Sequence, residues 1–281
     1  NGVRLVDING SETQYQVRAT NDPRECAGAK HAIVLVKAWQ TERVATQLKA
    51  CLTEDGLALT LQNGLGNKET LEQALDHSAS EKTRKKVSSA TSRVALGSCT
   101  TGATLLGPGH VKAGGEGVIS LEKNKALGPM EEALRSAGFN IQLVDDAKSL
   151  IWGKLVVNSA INPLTALLRI KNGELLERPT ACEMMKSLAI ETANIARAEN
   201  IQLPFDDPVK AVVGVARKTA ENTSSMLQDV LRGAPTEIDA ICGAVVNTAK
   251  KHGMETPLNL ICWLLIKALL GGDLLPNHRG N

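Results

Sequence analysis

Aromatic side chains are scarce, at 2% of 281 residues (three Trp, two Phe and one Tyr). A surface that stacks nucleic-acid bases needs several such rings, so a single-strand-binding platform is not expected. Neither sign of charge is in excess: 32 basic and 30 acidic residues leave a formal net charge of +2, too little to attract nucleic acid or an anionic membrane face. No apolar run reaches the roughly 18 residues a membrane span needs, and no charged-then-apolar leader opens the chain, so no membrane partner is expected. Cys-x-x-Cys pairs are missing. The cysteines at 26, 51, 99, 182, 242 and 262 are scattered, which suits reduced thiols in a cytoplasmic protein better than a disulfide framework. The histidines are equally dispersed, and no metal site follows from either set.

Hydrophobic residues make up 43% of the chain and charged ones 22%, a balance typical of a globular protein with a substantial core. The opening reads as strand, Asn9-Gly10 turn, strand, with the second strand over residues 13–19. Residues 31–36 form a continuous apolar run of the kind buried on both faces of a parallel sheet, and 42–51 have helical spacing. A second buried strand over 56–61 leads through a loop to a helix starting at Asn67. Strand, loop and helix repeated in this way predict a parallel sheet with crossovers, whose ligands gather at the carboxyl ends of the strands. Lys37 and Asn63 lie just past two such ends. Short glycine-punctuated strands follow to 121, then a helix at 129–136 and a strand at 141–144. Beyond about 145 the spacing is helical: 180–199, 208–218, 222–231, 236–252 and 259–270, with a frayed tail from 271.

The stretch 151–166 is expected to be a helix that is apolar nearly all round, and such a helix belongs in an interior. Lys154, Asn158 and Asn162 recur at four-residue steps, so they drift only about 80° around the axis and line one side. Buried ammonium and carboxamide groups need partners. Two readings stand: a core helix whose polar groups bind neighbouring backbone, or a cleft wall facing an oxygen-rich ligand. Gly64-x-Gly66 is a weak phosphate-loop signal, since the third glycine is missing. Ser224, Ser225 and Gln228 accompany an otherwise core-like helix, and Glu237 and Asp239 sit where a helix start favours acids.

Several segments then recur in a known order: Val36-Lys37-Ala38-Trp39-Gln40-Thr41, Gln62-Asn63-Gly64, Gly102-Ala103, Trp152-x-Lys154 with Asn158 and Asn162, Asn172-Gly173-Glu174-Leu175, Ser224-Ser225-Met226-Leu227-Gln228-Asp229, and Thr236-Glu237-Ile238-Asp239. Together they resemble the 2-dehydropantoate 2-reductase (ketopantoate reductase) family over nearly the whole chain. The resemblance implies an NADPH-binding α/β Rossmann-type domain over 1–145 and an all-α, 6-phosphogluconate-dehydrogenase-like substrate domain over 146–281, with the active site in the cleft between them. It implies that Lys154 is the proton donor, that Asn63, Asn158, Asn162, Asn172 and Ser225 bind substrate, and that Lys37, Asn63, Ala103 and Glu237 contact cofactor. The implied reaction is hydride transfer from the nicotinamide to the C2 ketone of ketopantoate, giving pantoate for pantothenate and coenzyme A synthesis. The implied partner is a small 2-oxo acid, and a homodimer is one assembly the family allows.

The family's first strand and helix and its Gly-x-Gly-x-x-Gly turn are not in this sequence, nor is the strand end that separates NADP from NAD. A partial sequence is the expected reason. Cys242 stands where relatives often have Asn. Other readings are reduction of a different branched 2-oxo acid, a neighbouring 3-hydroxyacid dehydrogenase, and a non-catalytic binding module that kept the cleft without its phosphate loop.

Overall fold

The computed structural model describes residues 2–76, 92–115 and 117–271; beyond Gly271 the expected tail lies outside them. Its contacts form two compact units, one of Asn1–Val36, Thr41–Gln62 and Lys68–Ala147, the other of Lys37–Gln40, Asn63–Asn67 and Lys148–Asn281.

The first unit holds a five-stranded sheet in the order β3 (Ala29–Val34), β4 (Leu52–Thr60), β5 (Val94–Cys99), β8 (Val118–Glu122), β9 (Asn140–Val144). β3, β4 and β5 run parallel, as expected, while β8 is antiparallel to β5 and parallel to β9. Successive side chains of a strand point to opposite faces, and β4 shows it directly. Leu57, Leu59 and Leu61 pack with Met130 and Leu134 of α3 (Gly128–Ser136), whereas Ala58 packs with Ala45 and Leu48 of α1 (Thr41–Cys51) and Leu71 and Leu75 of α2 (Asn67–Asp76). Each fully buried leucine contributes roughly 1.5–3 kcal/mol of transfer free energy, which sets this doubly covered strand as the unit's spine.

Two expectations are corrected here. Among the described residues β3 pairs with β4 alone, with Ile33 and Leu35 exposed and Val34 in the core, rather than covered on both faces. An apolar run by itself does not say whether a second neighbour exists. The opening hairpin is present as β1 (Val3–Val6) and β2 (Glu12–Tyr15), but β2 stops at Tyr15, the partner of Val3 at the start of β1, and does not run on to 19. Its turn is held by the Asp7 carboxylate, which accepts from Asn9 N and Ser11 N at 2.8 Å each. β1 also pairs with β7 (His110–Ala113), which pairs with β6 (Ala103–Gly107), giving a second, four-stranded sheet.

The second unit is helical from α4 (Ala147–Leu168) onward: α5 (Glu174–Glu177), α6 (Pro179–Ala198), α7 (Pro208–Lys218), α8 (Ser225–Leu231), a π-helical turn at Asp239–Gly243, α9 (Ala244–Lys251) and α10 (Pro257–Leu269). Trp152, Leu155, Val156, Ala160, Ile161 and Leu164 of α4 join Met185 and Leu188 of α6 and Val245 of α9 in one core. The single helix expected over 236–252 starts only at Asp239, with the π turn as its first part, and the helix expected from 222 starts only at Ser225. The reason for the later start is a cap: the Ser224 hydroxyl accepts from Leu227 N at 3.1 Å, ending the helix there. The Glu191 carboxylate similarly accepts from Leu258 N and Asn259 N at the start of α10.

Candidate active site

α4 carries Lys154, Asn158 and Asn162 along one side, as the spacing predicts. Lys154 and Asn158 are partly buried and Asn162 is buried. Neither asparagine amide has a side-chain hydrogen-bond partner among the described residues. Near the end of the same helix Thr165 Oγ1 lies 2.8 Å from Ser224 Oγ. This contact fixes the start of α8 against α4, and the next residue, Ser225, is exposed there.

Asn172 stands in the turn before α5. Its Nδ2 donates to Thr219 Oγ1 at 2.9 Å and its backbone N–H to Asn222 O at 3.1 Å, while its buried Oδ1 has no partner among the described residues. The following Gly173 packs so closely on Ala220 that a Cβ would sit 2.6 Å from the Ala220 methyl. Asn-Gly is therefore required for packing as well as for polarity. A buried carbonyl oxygen without a donor is costly, and a hydroxyl-bearing ligand would satisfy it.

The two strand-end segments meet the α8–π-turn region. Lys37 Nζ donates to Asp229 Oδ2 at 2.6 Å and lies 3.8 Å from Glu237 Oε2. Glu237 accepts from Ala38 N at 3.0 Å through Oε1 and from Asn63 Nδ2 at 3.1 Å through Oε2. Gly64 is at φ +81°, and a Cβ there would run into the Ala240 carbonyl. Leu65 N donates to that same carbonyl at 3.0 Å, a bond the π turn makes available by displacing Ala240 O from the α pattern. The structure thus gathers Lys37 and Asn63 about Glu237, Asn63 by a hydrogen bond and Lys37 by an ion pair at 3.8 Å. Ala103 opens β6 in the other unit, paired with Ala113.

Two residues that the sequence reading quoted but gave no role are prominent. Gln62, buried, donates to Val36 O at 2.9 Å and Thr41 Oγ1 at 2.8 Å, tying the end of β3 to the start of α1. Asp229, only 2% exposed, binds both Lys37 and Arg232. The available signal was an acid inside an apolar helix at Ser-Ser-Met-Leu-Gln-Asp. Cys242 is fully buried in the π turn, and burial raises its thiol pKa well above the ordinary value. Among the described residues no cluster of three or more His, Cys, Asp or Glu could hold a metal, and no helix is long and apolar enough to cross a membrane.

Comparison with known proteins adds to this geometry. The family model for ketopantoate reductase PanE/ApbA matches residues 1–126, and that for the ketopantoate reductase PanE/ApbA C terminal matches 146–270. A 2-dehydropantoate 2-reductase of Archaeoglobus fulgidus is 34% identical over 277 residues, covering 96% of this chain and 85% of the relative. The crystal structure of a PanE/ApbA family ketopantoate reductase from Ralstonia eutropha JMP134 superposes with TM-score 0.85 at 28% identity, over 96% of this chain and 85% of the other. A D-mandelate dehydrogenase in complex with NADH does so with TM-score 0.75 at 26% identity, over 86% of this chain and 80% of the other.

Proposed function

The chain belongs to the ketopantoate reductase family, and from that premise we propose that it reduces 2-dehydropantoate to pantoate with NADPH, as a cytoplasmic step of pantothenate formation. The observation that carries this reading is the polar seam of Lys154, Asn158 and Asn162 on a helix otherwise committed to the core. The donor set fits a hydroxylated 2-oxo acid. Asn172 Oδ1 is a buried acceptor suited to the substrate hydroxyl, and the amides of Asn158 and Asn162, with the Ser225 hydroxyl, suit its carboxylate and ketone.

The residues also fit a nicotinamide cofactor at the end of β4. There the Asn63 amide is oriented by Glu237, as a group that grips a ribose or a ketone must be. When bound, that cofactor supplies the hydride that adds to the ketone carbon. The remaining chemistry belongs to the chain. Negative charge developing on the ketone oxygen is stabilised by the Lys154 ammonium, which then gives that oxygen its proton. Asn158 and Asn162 orient the acid without adding a competing charge. The domain division at about residue 145 and a homodimer belong to the same reading; a sedimentation mass near twice that of one chain checks the latter.

The test is an NADPH fluorescence titration of this chain followed by NADPH oxidation on adding ketopantoate. Micromolar binding with ketopantoate-dependent turnover is expected. Binding without turnover would replace the enzyme with a binding module. The likeness to D-mandelate dehydrogenase favours a second reading, reduction of another 2-oxo acid, so benzoylformate and both NADPH and NADH belong in the same assay. A higher kcat/KM for benzoylformate than for ketopantoate would select that reading.

A further inference from the structure

Charged groups of alternating sign are strung together in the helical unit. Arg232 NH2 donates to Asp229 Oδ1 at 2.8 Å, Asp229 Oδ2 accepts from Lys37 Nζ at 2.6 Å, and Lys37 lies 3.8 Å from Glu237 Oε2. The side chains of Asp229 and Glu237 are 2% and 5% exposed, those of Lys37 and Arg232 34% and 50%. The two acids therefore form the inner part and the cations the outer.

The unequal distances decide what each acid does. Lys37 is drawn to Asp229, and this leaves Glu237 with one oxygen on the Ala38 N–H and the other on the Asn63 amide. Were Asp229 neutral, the nearest remaining carboxylate for the ammonium would be Glu237. An ammonium on that carboxylate adds the attraction of a second full charge, which a neutral amide donor lacks, so Lys37 would compete directly with Asn63 for Oε2.

We propose that Asp229 is a positioning residue for the reduction. Resting on the functional reading above, the proposal is that Asp229 keeps the Lys37 ammonium off Glu237, so that Glu237 can orient Asn63 and the Ala38 backbone toward the ligand. Asp229 touches neither substrate nor cofactor; it acts through Lys37 and Glu237.

The geometry gives an unusual expectation: removing Lys37 should repair the loss of Asp229. Four proteins are compared, wild type, Asp229→Asn, Lys37→Met and the double variant, by kcat and KM for NADPH and ketopantoate and by thermal unfolding. Asp229→Asn should lower kcat/KM about ten- to hundredfold, the scale for a misplaced binding group. Lys37→Met alone leaves a buried carboxylate with a lost partner and should lower the unfolding midpoint. The double variant, with neither a wandering ammonium nor an unpaired charge, should exceed Asp229→Asn in kcat/KM and Lys37→Met in unfolding midpoint. Losses that multiply in the double variant, or wild-type kinetics in Asp229→Asn, would overturn the proposal. If Asp229→Asn does not fold, the double variant still decides: folded with substantial activity supports it, unfolded overturns it. A wild-type chain that turns over no 2-oxo acid would sink the functional reading instead, and the unfolding midpoints would still report whether Lys37 and Asp229 are coupled.

Discussion

The carboxamides of Asn158 and Asn162 on α4 and the charged string around Asp229 lie in the same helical unit, yet their groups are treated in opposite ways. In the string each charge is committed to another protein group, down to both oxygens of Glu237. Along the seam and its neighbouring turn, the amides of Asn158 and Asn162 and the Oδ1 of Asn172 are left without protein hydrogen bonds among the described residues. Groups that satisfy one another hold backbone in place. Groups that the fold leaves unsatisfied, at a cost in stability, are the ones a ligand can engage.

The largest effect on the α4 side of the comparison is expected at Lys154, beside those carboxamides on the same helix. Lys154→Ala should lower kcat by roughly 10²–10⁴ while NADPH affinity stays near wild type, as for a lost acid catalyst; steady-state turnover with a parallel fluorescence titration checks both, and unchanged turnover would remove Lys154 from the chemistry. A second test concerns groups committed to the interior. Burial pushes the Cys262 thiol from 9.0 up to about 11. The folded state thus keeps a proton that an unfolded chain releases near pH 9, so the contribution is complete below pH 9 and disappears as pH rises through 11. The difference is worth roughly 2–3 kcal/mol. Unfolding midpoints measured from pH 8 to 11 should fall, and Cys262→Ala should remove part of that slope, the buried Cys242 thiol carrying another part.

Gly64→Ala sharpens the positioning side of the comparison, since it adds strain at φ +81° and a clash with Ala240. A loss of about 1–3 kcal/mol is expected, seen as a lower thermal midpoint together with a raised NADPH KM. The smallest effect is expected at Asn172→Ala. It should raise the ketopantoate KM about tenfold, the scale of one buried hydrogen bond, with kcat little changed; a change confined to kcat would argue against an acceptor for the substrate hydroxyl.

The sheet was legible because β4 and β5 bury their side chains with little reference to distant chain, and α4 because its polar residues recur at four-residue steps. What could not be seen depended on long-range pairing. Residues 31–36 look alike whether one neighbouring strand is present or two, and nothing near β1 announces that β7 will lie beside it. The candidate residues were legible as a pattern, but not their partners. Glu237 reads as a helix-start acid until residues 199 and 174 positions away, Ala38 and Asn63, are found on its carboxylate. Asp229 was quoted without a role for the same reason, its partner Lys37 being 192 residues distant.

The π turn at Asp239–Gly243 also limits how the chain can change in length. It winds less tightly than an α-helix, so deleting one residue there would tighten the winding and draw the Ala240 carbonyl away from Leu65 N. The number of residues in this turn, and not only their identity, therefore anchors the segment that follows β4.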